Sequence, residues 1–241
     1  MTSPDDRQGR VWLDVSYAEK DQAKSHGARW DPSARRWYAP SSAVTGLARW
    51  TALPEIPDLL PGEDRSLGSG LFVDLVPSSC WFTNVRSCVV PKDWQRLSRM
   101  ITGRAGRRCE ACGQAPDPAT GRRLEAHERW AYDQPSGVQA LRRLICLCDQ
   151  CHTVTHFGLA GLRGLAEEAL GQLRTVTGMT DQQARAHVDD AFALWKDRST
   201  RRWTLDLTML TTAGVTLAPP PAPSDRVHAA ERTLRGLRRP T

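Results

Sequence analysis

The stretch CLCDQCHTVTHFG, residues 146–158, places two thiols three positions apart and follows them at once with two histidines four positions apart. Cys148 and Cys151 make one Cys-x-x-Cys knuckle, and CEAC at Cys109 and Cys112 makes another upstream. Two such pairs offer four thiolates to a single tetrahedral ion, with Zn–S bonds of about 2.3 Å. Residues 113–147 between them are long enough for a strand hairpin. The chain has seven cysteines, and paired knuckles in a reducing compartment favour metal over disulfides. Cys146 reads as a buried apolar residue rather than a fifth ligand, and Cys80 and Cys88 have no metal spacing.

His152 and His156 share one face, one turn apart, if the segment after the knuckle is helical. Two imidazoles so placed clamp a second divalent ion. Thr153, Val154 and Thr155 are β-branched and poor helix formers, so this turn leans on the knuckle for support. Upstream, LEAHERWAYD at residues 124–133 opens with a strand that sets Glu125 and His127 on one face. The apolar run ALRRLICL, 140–147, is its antiparallel partner and leads into the second knuckle. The order is strand, loop, strand, helix, with His127 facing His152 and His156.

From about residue 107 to 158 these motifs resemble the HNH nucleases, the ββα-metal or His-Me finger family. The residues that carry the likeness are Cys109-x-x-Cys112, His127, Leu147-Cys148-x-x-Cys151-His152 and His156. The resemblance implies metal-dependent hydrolysis of DNA phosphodiesters. His127 would be the general base, as suits an imidazole titrating near working pH. His152 and His156 would hold a catalytic Mg²⁺, Mn²⁺ or Zn²⁺ against the phosphate, while the four cysteines hold a structural Zn²⁺. The chain departs from the pattern twice. Ala126 stands where an Asp or His usually adds a ligand, and Arg143 stands near the place of the usual asparagine. Glu125 or Glu128 could replace the missing ligand; alternatively His127 is a ligand and Glu128 the base. The expected fold class is α+β: a zinc-stapled ββα-metal core with surrounding helices, preceded by a small α/β domain. The competing reading is a zinc-stapled DNA-binding or regulatory protein without catalysis.

Charge agrees with a polyanionic partner. The net charge is +6 and the pI about 9.2. Between Arg86 and Arg108 seven basic residues, Arg86, Lys92, Arg96, Arg99, Arg104, Arg107 and Arg108, face one acid, Asp93. Such a run can neutralise phosphates and release counterions. Arg201 and Arg202 are further candidates to face DNA. No run approaches the roughly 20 apolar residues of a membrane span, and MTSPDDRQGR lacks a signal-peptide core, so a cytoplasmic protein is expected. Cutting both strands with one such centre per chain calls for a homodimer.

The remaining chain divides by composition. Residues 1–41 read as a strand-helix-strand accessory domain, in which Val11, Leu13 and Val15 alternate and Gly27 ends the helix. YAEKDQAKSHGARWDPSARRWYAP, 17–40, resembles a small uncharacterised domain of plasmid and phage proteins found beside primase or antirestriction domains, and more loosely the annealing-helicase accessory repeat. Both imply a DNA-handling accessory module. Residues 42–70, rich in Pro, Gly and Ser, read as a linker, residues 71–215 as the nuclease domain with an opening strand at 71–76, and residues 216–241 as a disordered basic tail. Thr180 caps a helix whose Ala184, Val188, Ala191, Phe192 and Trp195 form a core face. Trp203, Leu205 and Leu207 alternate as a late strand.

Overall fold

The computed structural model describes residues 10–41, 45–52, 56–81, 84–220, 222, 224–225 and 228. The chain is mixed α+β and divides into two units, Met1–Glu55 and Ile56–Thr241.

In the first unit β1 (Val11–Leu13), β2 (Arg29–Asp31) and β3 (Arg36–Ala39) form an antiparallel sheet in the order β1-β3-β2. A single helical turn, Tyr17–Glu19, leads into α1 (Lys20–Ser25). Gly27, at φ 95, takes the left-handed conformation that turns the chain from α1 toward β2. The expected strand-helix-strand unit therefore has a third strand, β2, too short to show an alternation. It is also longer than expected. Leu47 and Trp50 are 1% and 2% exposed against Leu13, Ala23 and Ala39, and Trp50 O accepts from Asp14 N at 2.7 Å. A three-stranded sheet this small needs that extra apolar cover, so residues 45–52 belong to its core.

The expected linker at 42–70 is thus corrected at both ends. Ile56 and Leu60 are buried in the second unit's core, and Asp64 N donates to Arg142 O at 2.8 Å. Glu63 lies under Arg104. The Pro- and Gly-rich composition bends this segment without freeing it. Residues 71–76 form no strand, although Leu71 and Val73 are buried.

The second unit is built on β4 (Leu124–Asp133) and β5 (Val138–Cys148), antiparallel from Leu124↔Cys148 to Asp133↔Val138 with a bulge at Arg129/Trp130. β6 (Thr204–Asp206) lies parallel to β5. β5 is apolar on both faces because both are covered. Leu144 and Cys146 pack with Leu97 and Ile101 of α3 (Pro91–Arg104), below the short α2 (Val85–Cys88). Ile145 and Leu147 pack against Val154 of α4 (Asp149–Thr155) and Phe157 of α5 (Phe157–Leu162). The same core takes Leu170 and Leu173 of α6 (Ala166–Thr177) and Ala184 and Val188 of α7 (Asp181–Ser199). Thr180 forms the capping box of α7 with Gln183. Phe192 is 38% exposed, so the core face expected of α7 stops short of it. α8 (Thr208–Thr212) closes the unit.

The tail expected from residue 216 is docked at its start: Thr216 N donates to Asp93 Oδ2 at 2.7 Å and Ala218 N to Cys88 O at 2.8 Å. Most of residues 221–241 lie outside the described residues. Among the described residues no helix is long and apolar enough to cross a membrane.

Candidate metal centres

Hairpin and helix bring two donor sets together. The sulfur atoms of Cys109, Cys112, Cys148 and Cys151 lie within 4.8 Å of one another. Cys112 and Cys148 are 3.7 Å apart, matching the roughly 3.8 Å between thiolates on a tetrahedral zinc with 2.3 Å bonds. Cys148 ends β5, Cys151 sits in the first turn of α4, and the first knuckle reaches them because Glu110 clamps β5. Glu110 Oε2 accepts from Cys146 N at 2.7 Å, and Glu110 N donates to Cys146 O at 2.8 Å. Gln172 of α6 donates Nε2–H to Cys151 Sγ at 3.3 Å. Bonded by the thiols of Cys148 and Cys151, Cys109 ionises well below the usual thiol range, while its bonding pushes Cys148 up to about 12. Four thiols so close suit a shared cation, and the cluster could hold a zinc ion.

The second set is His127, His152 and His156, whose donor atoms also lie within 4.8 Å of one another. Ring centroids are 5.1 Å apart for His127–His152, 4.9 Å for His127–His156 and 4.6 Å for His152–His156. α4 is only seven residues long and ends at Thr155. Its β-branched residues are held by Thr153 and Thr155 hydroxyls bonded to the carbonyls of Asp149 and Cys151. His156 then breaks the helix at φ −94, ψ 45, the corner before α5. His127 is 3% exposed. Burial, then the charges of His156 and His152, holds its pKa well below the ordinary imidazole value. Burial and His152 bring His156 to about 3. Burial lowers the pKa of all three rings, which favours the neutral form that binds metal.

The glutamates part company. Glu125 stands outside the donor cluster, its Oε2 a charged neighbour 3.1 Å from His152 Nδ1. Glu128 is buried, with Oε1 accepting from Val85 N at 2.9 Å and Oε2 3.9 Å from His127 Nδ1. Burial raises its pKa to about 7. Arg143, near the expected asparagine position, is committed to Leu67 O at 3.1 Å and Glu110 at 3.2 Å.

Arg129 was not singled out by the sequence. It lies two residues beyond His127, is 1% exposed, and has Asp74 as ion partner at 3.6 Å with Phe72 under its guanidinium at 4.1 Å. Its charge opposes protonation of all three histidines. The signal available was its i+2 position on the strand that carries His127.

The basic run separates by environment. Arg104 is buried in a bidentate pair with Glu63, at 2.6 and 2.7 Å, and Arg96 holds buried Asp93 at 2.6 Å. These two are structural rather than DNA-facing, because α3 turns them inward. Lys92 is half-buried; Arg86, Arg99, Arg107 and Arg108 are exposed, with Arg108 donating to Gly113 O. Arg201 and Arg202 are exposed as well.

Comparison with known proteins adds a partial identity at the other end. Residues 10–51 match the family described as domain of unknown function DUF5710. The match covers the first unit's sheet, α1 and the turn that closes its core. A stretch of 59 residues is 44% identical to a protein named DNA primase TraC of Escherichia coli, covering 24% of this chain and 5% of that protein. A second protein of that name and organism is 45% identical over 42 residues, 17% of this chain and 3% of its own length. The chain thus spans only a small fraction of these relatives. No solved structure matches it.

Proposed function

We propose that the second unit is a metal-dependent endonuclease of the HNH kind acting on DNA, with the first unit as a DNA-handling accessory domain of the sort carried by plasmid proteins. The observation that supports catalysis is the convergence of three imidazoles in a donor set separate from the four-cysteine cluster. A protein needing only a zinc staple has no use for the second donor set.

His127, His152 and His156 would hold the catalytic divalent ion, which when bound supplies stabilisation of negative charge on the phosphate and leaving oxygen. Glu125 orients His152 from behind. With His127 among the donors, Glu128 is left as the general base. A carboxylate whose proton affinity burial has raised to about 7 can take a proton from water near neutral pH. Arg86, Arg99, Arg107 and Arg108 are the exposed cations that would follow the DNA backbone. The likeness to proteins named DNA primase supports DNA, rather than an acidic protein, as the polyanion.

The test is a cleavage assay across Mg²⁺, Mn²⁺ and Zn²⁺ paired with metal counting by native mass spectrometry. Wild-type protein should bind two ions and cut. His156→Ala should bind one and be inactive, and Glu128→Gln should bind two and be inactive. A single bound ion in wild type, with no cleavage of any DNA, would replace this reading with a non-catalytic zinc-stapled DNA-binding protein.

A further inference from the structure

The first unit is small, and its aromatic residues are expected to be its core. Trp50 obeys, at 2% exposure; Trp30 does not, at 48%. Trp30 lies on β2, the edge strand of the sheet, and its indole meets Trp37 edge-on at 5.4 Å and 63°. Trp37 is braced from α1 by the Lys24 ammonium, 5.6 Å from its ring centre, while Lys24 also has Asp21 at 3.6 Å. The ring of Trp30 thus packs on Trp37 while nearly half of its surface stays in water. That arrangement is costly in solvent and useful to a ligand with a flat apolar face.

The unit also carries exposed cations. Arg29 and Arg35 are exposed and make no ion pair among the described residues. Arg35 sits at φ 50 in the turn between β2 and β3, two residues before Trp37. From residue 10 to 52 the sequence has seven basic and four acidic side chains, and two of the acids, Asp21 and Asp31, are spent on Lys20, Lys24 and Arg10. A partner must therefore bring flat apolar rings and negative charge in alternation. Single-stranded DNA does so. Duplex DNA does not, because its base faces are already stacked on one another.

We propose that the β2 edge binds single-stranded DNA, one base stacking on Trp30 with an adjoining phosphate reached by Arg35 from the β2–β3 turn. The surface shares with the proposed nuclease only the nature of its partner and uses no residue of the metal centres. Stacking on one aromatic ring is sequence-tolerant, so the contact is general rather than specific.

The test is fluorescence anisotropy of the full chain with labelled dT20, without added divalent ions so that no strand is cut. Trp30→Ala should weaken dT20 binding about tenfold and Trp30→Phe should restore most of it. Arg35→Ala should lower the slope of log K against log salt by about 0.7. Thermal midpoints of all three should match wild type, since both side chains are exposed, and cleavage of saturating duplex by the second unit should be unchanged. Wild-type affinity in Trp30→Ala would overturn the proposal. So would equal binding of a 20-base-pair duplex, or a preference for rU20 over dT20. A protein that cuts nothing but shows the Trp30 effect would sink the nuclease reading alone.

Discussion

The carboxylate of Glu125, on β4, stands 3.1 Å from Nδ1 of His152, on α4. In the proposed site this pair would orient His152 as a donor. A carboxylate behind a metal-bound imidazole fixes its tautomer, and loss of such partners costs about 10- to 100-fold in metal affinity. Glu125→Ala should therefore leave the fold intact and raise the metal concentration needed for half-maximal occupancy of the histidine site by that factor. Titration calorimetry with the structural zinc in place reads it. A Glu125→Ala protein that binds the second ion as wild type does would show that His152 is held by other means.

The four-cysteine cluster joins the end of β5, the start of α4 and the loop after α3, so its loss should be felt as stability. Cys148→Ser should release the structural ion and lower the melting midpoint by about 10 °C or more, several kcal/mol in a unit of this size. Gln172→Ala removes only the amide bonded to Cys151 and should keep the ion while speeding its loss to a chelator. Zinc release followed with a chromogenic dye separates the two outcomes.

Glu63 and Arg104 form a buried bidentate pair, 0% and 3% exposed. Removing one partner strands a charge in the interior, so Arg104→Met should cost ~3–5 kcal/mol in denaturant unfolding. Burial raises the Glu63 pKa, but hydrogen bonds from Arg104 and from the amides of Leu144 and Leu60 outweigh it, and the net direction is down. A carboxylate depressed in the folded state contributes stability at pH above its unfolded value, near 4.5, and loses it as pH falls through the folded value. Wild type should thus lose an acid-sensitive increment below about pH 4.5 that Glu63→Gln lacks.

DNA affinity should divide the basic run. Arg99→Ala and Arg107→Ala, at exposed positions, should each weaken duplex binding and reduce the salt slope by about 0.9 without lowering stability. Arg96→Ala should instead lower stability, because it uncovers buried Asp93, and should leave the salt slope unchanged. The reverse pattern would mean that DNA approaches from another face.

The sequence by itself determined the parts held by spacing. Two Cys-x-x-Cys pairs, two histidines four apart and a third on an alternating strand mark the seven side chains that gather in two donor sets. Thr180 and Gln183 likewise declare the start of α7. Tertiary structure alone decided which neighbours those side chains meet. Glu125 and Glu128 are alike in sequence, but one lies 3.1 Å from His152 while the other is buried and accepts from Val85 N. Arg104 and Arg107 are equally basic, but the first, in the last turn of α3, is buried against a glutamate drawn from a segment that composition marks as a linker, while the second lies past the helix and is exposed. Charge and propensity are properties of a residue; desolvation and pairing belong to its place, and only long-range packing sets the place.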